Sequence, residues 1–471
     1  MVKIALPPTT LGQDLLITLS ILATASLPPT DVYIKVGIEP SKGITYIETN
    51  ADTVKLSKAV INVLSKNLVV SGARRARLPL VPTDLNALRK VLGRAVSGKA
   101  DLRGALYNDL VGVLKQKDFI KYLDINNVST RYGRNIEIYL GAPKGALTLP
   151  RVMISDGFFE LGKLHGIKDV KTVSGPPRLG KVDLRCSPEV APLMHASVLG
   201  FEVLNFAVAG NMFHLFITLK APPDICIKYM DAKLLAKVFT YALKLTSKFN
   251  FIDIYEDYEV HRLYLLLKIF HKYIKSLAHL FASSPELSSL GIANHVFSST
   301  GRRFIKINEY VISLSETLSL RRSLDSLGIG LDDGRLLMNT LANALMAASR
   351  LSRRVETFTA FAKLRTCIKH LIYALIDVRL RAALQHAYEV LRILADRDVR
   401  ALMIGDSIRV SMNDLSTYAD VEGLPLDKAI EQALNIQVSK GKEEEAVREH
   451  ERRSLIILAN VLADIMYRAR S

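Results

Sequence analysis

Apolar positions recur at helical spacing through most of the second half of the chain. The longest such stretch runs from Met346 to Arg400 and contains neither Gly nor Pro. In it Leu351, Val355, Phe358, Phe361, Leu364, Ile368, Leu371, Leu375 and Val378 step by three or four, the signature of a helix with one buried face. A continuous helix there would gather Arg350, Arg354, Arg365, Lys369 and Arg379 into one broad sector. Such a basic edge suits nucleic acid or an acidic neighbour. Helical patterns also cover 231–249, 255–281, 305–327, 332–354 and 443–470, and Glu443, Glu444 and Glu445 suit the positive end of the last helix dipole. A short β-hairpin is predicted around Ile408 to Met412.

The first half alternates differently. Val2 to Leu6 reads as a strand and Leu11 to Ala25 as a helix ending at Pro28-Pro29. The β-branched run 31–50, broken by Pro40-Ser41-Lys42-Gly43, predicts a hairpin, and Asp52 is placed to cap a helix over 53–66. The order β-α-β-β-α is met again from Lys181 to Lys248, with Gly210-Asn211 at the hairpin turn. The predicted fold is therefore an α+β half with antiparallel sheet over 1–225, with a candidate β-α-β-β-α repeat, followed by an all-α helical bundle over 226–471.

Charge changes the picture. The chain has 471 residues, with 63 Lys plus Arg against 46 Asp plus Glu, a formal net charge of +17. That excess points to a polyanionic partner, nucleic acid before an anionic membrane. The basic residues cluster at predicted turns: Arg74, Arg75 and Arg77; Arg131 and Arg134 around Tyr132; Arg178 and Lys181; and Arg302, Arg303 and Lys306 around Phe304. Loops give guanidinium and ammonium groups the reach that phosphate contact needs, and Tyr132 and Phe304 are candidates to stack on unpaired bases. Solvated loop charge explains any one cluster as readily, but less readily all four.

Several chemistries are disfavoured. Three cysteines without a C-x-x-C pair argue against a zinc ribbon or a disulfide scaffold and fit a reducing cytoplasm. The apolar run 15–25 is too short to span a bilayer. No phosphate-binding glycine motif is present, which disfavours an ATPase or a Rossmann dehydrogenase, and no cofactor is expected. Asp253, Glu256, Asp257, Glu259 and His261 read as a solvated helix start, not a metal site. His271 and His279 read as one packed or half-buried face. The absence of Trp and the presence of only five Gln fit a thermophilic source.

Two Arg-x4-His strings, Arg365 with His370 and Arg381 with His386, match the pattern of HEPN-family ribonucleases, which place an Arg and a His at the scissile phosphate. About two matches are expected by chance in so Arg-rich a chain. Both strings sit inside helical patterns, where a five-residue step turns the two side chains about 140° apart. A metal-independent ribonuclease at these residues is the alternative to a binding protein, and a structural scaffold without nucleic acid is a third reading.

In outline the chain resembles the large subunit of type I CRISPR interference complexes, most of all the type I-A branch of thermophilic archaea. The resemblance lies in a basic, Trp-free chain with an irregular α+β half followed by a helical half. It implies a non-enzymatic, cytoplasmic subunit of an antiviral ribonucleoprotein that contacts crRNA or target DNA and packs on partner subunits. No catalytic set is carried over by it.

Overall fold

The computed structural model describes residues 1–29, 32–66, 78–97, 103–116, 118–132, 136–155, 182–208, 210–247, 257–299, 303–353, 358–439 and 441–468. They divide into two compact units. The first comprises Met1–Phe239 with Leu290–Val311, the second Thr240–Ser289 with Ile312–Ser471. The expected division at 225/226 thus falls ahead of the observed one, and a later strand pair returns to the first unit.

The first unit opens with β1 (Val2–Ala5), α1 (Thr10–Ser26), the hairpin β2 (Tyr33–Glu39) and β3 (Ile44–Thr49), and α2 (Thr53–Ser65). Asp52 caps α2 as expected, accepting from the Lys55 amide at 3.0 Å. Helices α3 (Pro82–Leu92) and α4 (Arg103–Lys115) follow, then β4 (Ser129–Tyr132), β5 (Ile136–Leu140), β6 (Leu147–Thr148) and β7 (Val182–Cys186). Next come α5 (Ala191–Phe201), β8 (Glu202–Val208), β9 (Asn211–Lys220), β10 (Cys226–Lys228) and α6 (Tyr229–Ser247), the last of which runs on into the second unit.

Among the described residues, and with β11 (Gly291–Ser299) and β12 (Phe304–Ser313), the strands form three four-stranded sheets, ordered β1-β3-β2-β10, β4-β5-β7-β6 and β12-β11-β9-β8. All the registered pairs are antiparallel except β5 with β7. The repeated element order does not extend to topology. β1 shares a sheet with β2 and β3, whereas β7 lies in a different sheet from β8 and β9. α1 and α5 are apolar on nearly all sides, and almost every residue of each is buried, as helices in the middle of a core must be.

The second unit is helical: α7 (Tyr258–Ser283), α8 (Ser315–Ser326), α9 (Leu331–Leu351), α10 (Phe358–Ile376), α11 (Leu380–Leu394), α12 (Arg397–Glu422), α13 (Leu426–Leu434) and α14 (Glu443–Arg468). Between α7 and α8 the chain forms β11 (Gly291–Ser299) and β12 (Phe304–Ser313), where a helix was expected from 305.

The hairpin expected at Ile408 to Met412 is instead the middle of α12. Its β-branched residues are overruled by packing, since Ile408 and Val410 are buried in the helix. Nor does the Gly-free stretch 346–400 form one helix. Val378 adopts φ 56°, and the Arg379 amide donates to the Ala374 carbonyl at 2.8 Å. This is a Schellman turn with valine where glycine is usual. The turn folds α11 back along α10.

Candidate nucleic-acid interface and buried ionisable clusters

Of the expected phosphate contacts, Arg131 and Arg303 are exposed. Arg131 sits on β4, an edge strand, with its guanidinium carbon 5.8 Å from the Tyr139 ring centroid. Its register partner is Glu137, which Arg185 engages at 3.1 Å. Arg131, Glu137, Tyr139, Asp183 and Arg185 share one face of that sheet by alternation, so the local charge there is mixed. Tyr132 follows on the same strand. Arg303 precedes β12.

Two expectations need correction. Phe304 is buried and meets the His214 ring edge-on at 5.4 Å, so it belongs to the core and offers no stacking platform. Lys306 is half-buried and bound to Glu309 at 2.6 Å, so it is not a free phosphate contact. Arg74, Arg75, Arg77, Arg134, Arg178, Lys181 and Arg302 lie outside the described residues.

The basic edge of the 346–400 stretch faces an acidic neighbour within its own unit. Arg365 Nε lies 3.6 Å from Asp257 Oδ2. Lys369 Nζ lies 3.4 Å from Asp257 Oδ1 and also pairs with Glu259. Asp257 is the N-cap of α7, so Asp257 and Glu259, read as part of a solvated helix start, pair with α10, while Asp253 and Glu256 lie outside the described residues. His261, from the same run, is fully buried against Thr246 Oγ1 at 3.1 Å, and burial pushes its pKa down to about 3. His271 and His279 part company: the first is buried, the second exposed.

The two Arg-x4-His strings meet through their histidines. The hairpin of α10 and α11 sets the His370 and His386 rings 5.2 Å apart between centroids, inclined at 58°. His370 is exposed and His386 half-buried. Burial, with the neighbouring His370 and Arg379, pulls the His386 pKa down. Arg365 is held by Asp257, and Arg381 is exposed near the start of α11.

The sequence reading missed three buried ionic clusters, because each is assembled from residues far apart in the chain. In the first, Arg103 Nη1 donates to Glu202 Oε2 at 2.7 Å, and Glu202 Oε1 accepts from His214 Nδ1 at 2.5 Å. With Nδ1 as donor, His214 Nε2 accepts from Ser299 Oγ at 3.1 Å.

In the second cluster Asp14, His295 and Glu309 bring ligand-type atoms within 4.8 Å of one another. Their donor types fit a divalent metal, but their charge does not. Lys220 and Lys306 each hold a Glu309 oxygen at 2.6 Å, and these ammonium groups already supply the positive charge that an ion would bring. Burial raises the Glu309 pKa, but His295, Lys220 and Lys306 outweigh it and bring the carboxyl down to about 2. Asp14, almost wholly buried, is shifted up by desolvation.

The third cluster lies in the helical unit. Lys268 Nζ donates to Asn339 Oδ1 at 2.7 Å and to Asp414 Oδ2 at 3.0 Å. Tyr241 hydroxyl donates to the other Asp414 oxygen. Glu451 Oε1 accepts from Asn343 Nδ2 at 3.0 Å and from Ser411 Oγ. Burial raises the pKa of both carboxyls and lowers that of the ammonium. One local signal of this cluster existed. Lys268 interrupts the apolar run Leu265-Leu266-Leu267 and Ile269-Phe270, where a charge needs a buried partner.

No protein-family model matches the chain, and no curated protein matches it in sequence. Among the described residues no helix is long and apolar enough to cross a membrane.

Proposed function

We propose that the protein is a non-enzymatic nucleic-acid-binding subunit of a ribonucleoprotein, of the kind exemplified by the large subunits of type I CRISPR effectors. The observation that carries this reading is where its charge is balanced. Each of the three buried clusters pairs its cations with carboxylates. The net +17 is therefore carried by residues outside those clusters, where it favours a polyanion. Arg131 and Arg303, both exposed, are the described members of the expected contact set that remain free to serve it. Partner subunits and crRNA belong to the same proposal.

Fluorescence anisotropy with labelled single-stranded RNA and duplex DNA tests it. Affinity should fall steeply between about 50 and 200 mM salt, with a log–log slope of roughly −0.7 to −0.9 per phosphate neutralised. An Arg131→Ala, Arg303→Ala double variant should flatten that slope by about one to two units. Absence of binding at low salt, or an affinity indifferent to salt, refutes the proposal.

The 5.2 Å approach of His370 to His386 favours a second reading, metal-independent RNA cleavage with the two imidazoles as acid and base. Labelled RNA incubated with the protein and chelator would be cut, and a His370→Ala, His386→Ala double variant would abolish cutting. Equal cleavage by the variant dismisses this reading.

A further inference from the structure

The histidines of the two Arg-x4-His strings also belong to tighter patterns. The first closes Cys367-Ile368-Lys369-His370, and the second opens His386-Ala387-Tyr388-Glu389. These are two i,i+3 pairs of metal-ligand types, and a helix brings the members of such a pair onto one face.

α11 folds back along α10, so the two pairs meet in reverse order. His370 lies against His386, with ring centroids 5.2 Å apart. Farther from the connecting turn, Lys363 Nζ reaches Glu389 Oε2 at 3.6 Å. Cys367 falls between Lys363 and His370 on the same face of α10. After burial, its thiol responds most to Glu389 and then to Lys363. The hairpin therefore sets two imidazoles one helical turn from a thiol and a carboxylate.

Among the described residues, no hydrogen bond joins the two rings or ties either of them to another group. Burial, His370 and Arg379 hold the His386 pKa down, and Glu389 is near enough to oppose them. A neutral imidazole presents a lone pair, and that is the form that binds metal. The spacing suits a shared ion. A tetrahedral ion held at about 2.0–2.1 Å by one nitrogen of each ring would set the centroids roughly 5 Å apart.

The neighbouring cations leave room for such an ion. Lys363 and Arg392 hold Glu389 at 3.6 and 2.9 Å, but each is more than half exposed, so these pairs are weak and yield readily. In the Asp14, His295 and Glu309 cluster, by contrast, two ammonium groups stand on the shared carboxylate at 2.6 Å.

We propose that His370 and His386 bind one divalent transition-metal ion of the zinc type, with Cys367 and Glu389 completing a four-ligand site on the α10–α11 hairpin. Imidazole, thiolate and carboxylate together suit Zn²⁺, whereas Mg²⁺ prefers oxygen ligands alone. The ligand atoms are not gathered within 4.8 Å of one another, so Cys367 and Glu389 close on the ion by turning about their side-chain bonds. Cys367 binds as the thiolate, and its proton passes to solvent. The bound ion fastens α10 to α11 across the turn at Val378. The proposal shares its two rings with the cleavage reading but rests on neither reading above, since a bound ion occupies the lone pairs that acid–base catalysis needs.

The test uses the full chain without an affinity tag, stripped with EDTA and dialysed. Isothermal titration should show Zn²⁺ binding and no Mg²⁺ binding at equal concentration. His370→Ala and His386→Gln should each weaken Zn²⁺ binding at least about tenfold. His279→Ala, at an exposed position on α7, should leave it unchanged. Zn²⁺ should raise the Tm of the wild type, as any ligand of the folded state alone does, and should not raise that of the His370→Ala, His386→Gln double variant. Co²⁺, whose absorption reports its ligands, should give a near-ultraviolet thiolate band that Cys367→Ser removes. Circular dichroism of each variant without metal should match the wild type, so that lost binding is not lost folding. No Zn²⁺ binding, undiminished binding by the folded double variant, or a Co²⁺ complex without the thiolate band overturns the proposal.

Discussion

Replacing Lys268 by Met keeps the volume and removes the one ammonium that faces two buried carboxyls. At 3.0 Å from Asp414 Oδ2, the ion pair is worth about 5–6 kcal/mol in Coulomb terms at an effective dielectric constant near 20. Desolvation of the two ions costs a comparable amount, so the intact pair contributes little net stability. The variant's cost therefore depends on pH. Burial holds both carboxyls above their ordinary pKa, so their contribution to stability is complete at low pH and is lost as pH rises.

In the wild type, the neutral form of the cluster has one carboxyl protonated beside one ammonium. In the variant, neutrality needs both carboxyls protonated, one more proton than the wild type retains relative to its unfolded chain. Each pH unit above the unfolded carboxyl range then costs the variant roughly 1.4 kcal/mol more. At pH 5 only hydrogen bonds are lost, about 1–2 kcal/mol. By pH 8, three pH units higher, the loss should reach about 5–6 kcal/mol, at or just above the upper end of the range for breaking one side of a buried pair. Urea unfolding at the two pH values, followed by far-UV circular dichroism and by amide exchange in α7 and α12, measures this. A loss that is equal at both pH values within about 0.5 kcal/mol, or a variant more stable than wild type at pH 8, refutes the charge assignment.

Glu202→Ala should destabilise the first unit by about 3–5 kcal/mol, since it strands Arg103 and His214 in the core, and thermal unfolding should show Glu202→Gln to be milder. Glu309, whose pKa is depressed to about 2, contributes stability above the ordinary glutamate range that is lost as pH falls toward 2; acid titration of Glu309→Gln should show a flattened limb there. Gly141→Ala should cost about 1–3 kcal/mol, because φ is +88° and a Cβ would stand 3.0 Å from the Tyr122 carbonyl. Gly112→Ala, in α4 with open space around it, should stabilise by about 0.5–1 kcal/mol in the same unfolding assay.

Local chemistry made part of this fold legible. Asp52, the β-branched hairpin and most of the long 3.6-residue patterns carry their signal within a few residues and produced the expected elements. Where burial is two-sided the signal fails. Every residue of β11 is buried, so Gly291–Ser299 shows no alternation. β12 was read as helix although it is an edge strand, with Ile305 and Ile307 exposed. The turn at Val378 was invisible because nothing in Ile376-Asp377-Val378-Arg379 favours a left-handed residue. It is set by tertiary contact, including the Ser323 hydroxyl that donates to the Leu375 carbonyl.

The same contrast governs the candidate sites. Clusters of like charge along the chain are easy to see and say only that a surface is basic. Of the described members of the expected contact set, Lys306 is bound to Glu309, and Arg365 and Lys369 of the basic edge are bound to Asp257 and Glu259. Unmet demands lie elsewhere: among the described residues, buried nitrogens of His271, Lys272 and His450 lack a hydrogen-bond partner, and the chain order sets His450 far from the other two. An unmet buried donor or acceptor is costly wherever it occurs. A net charge of +17 attracts any polyanion, so added salt, more than any single substitution, should abolish that binding.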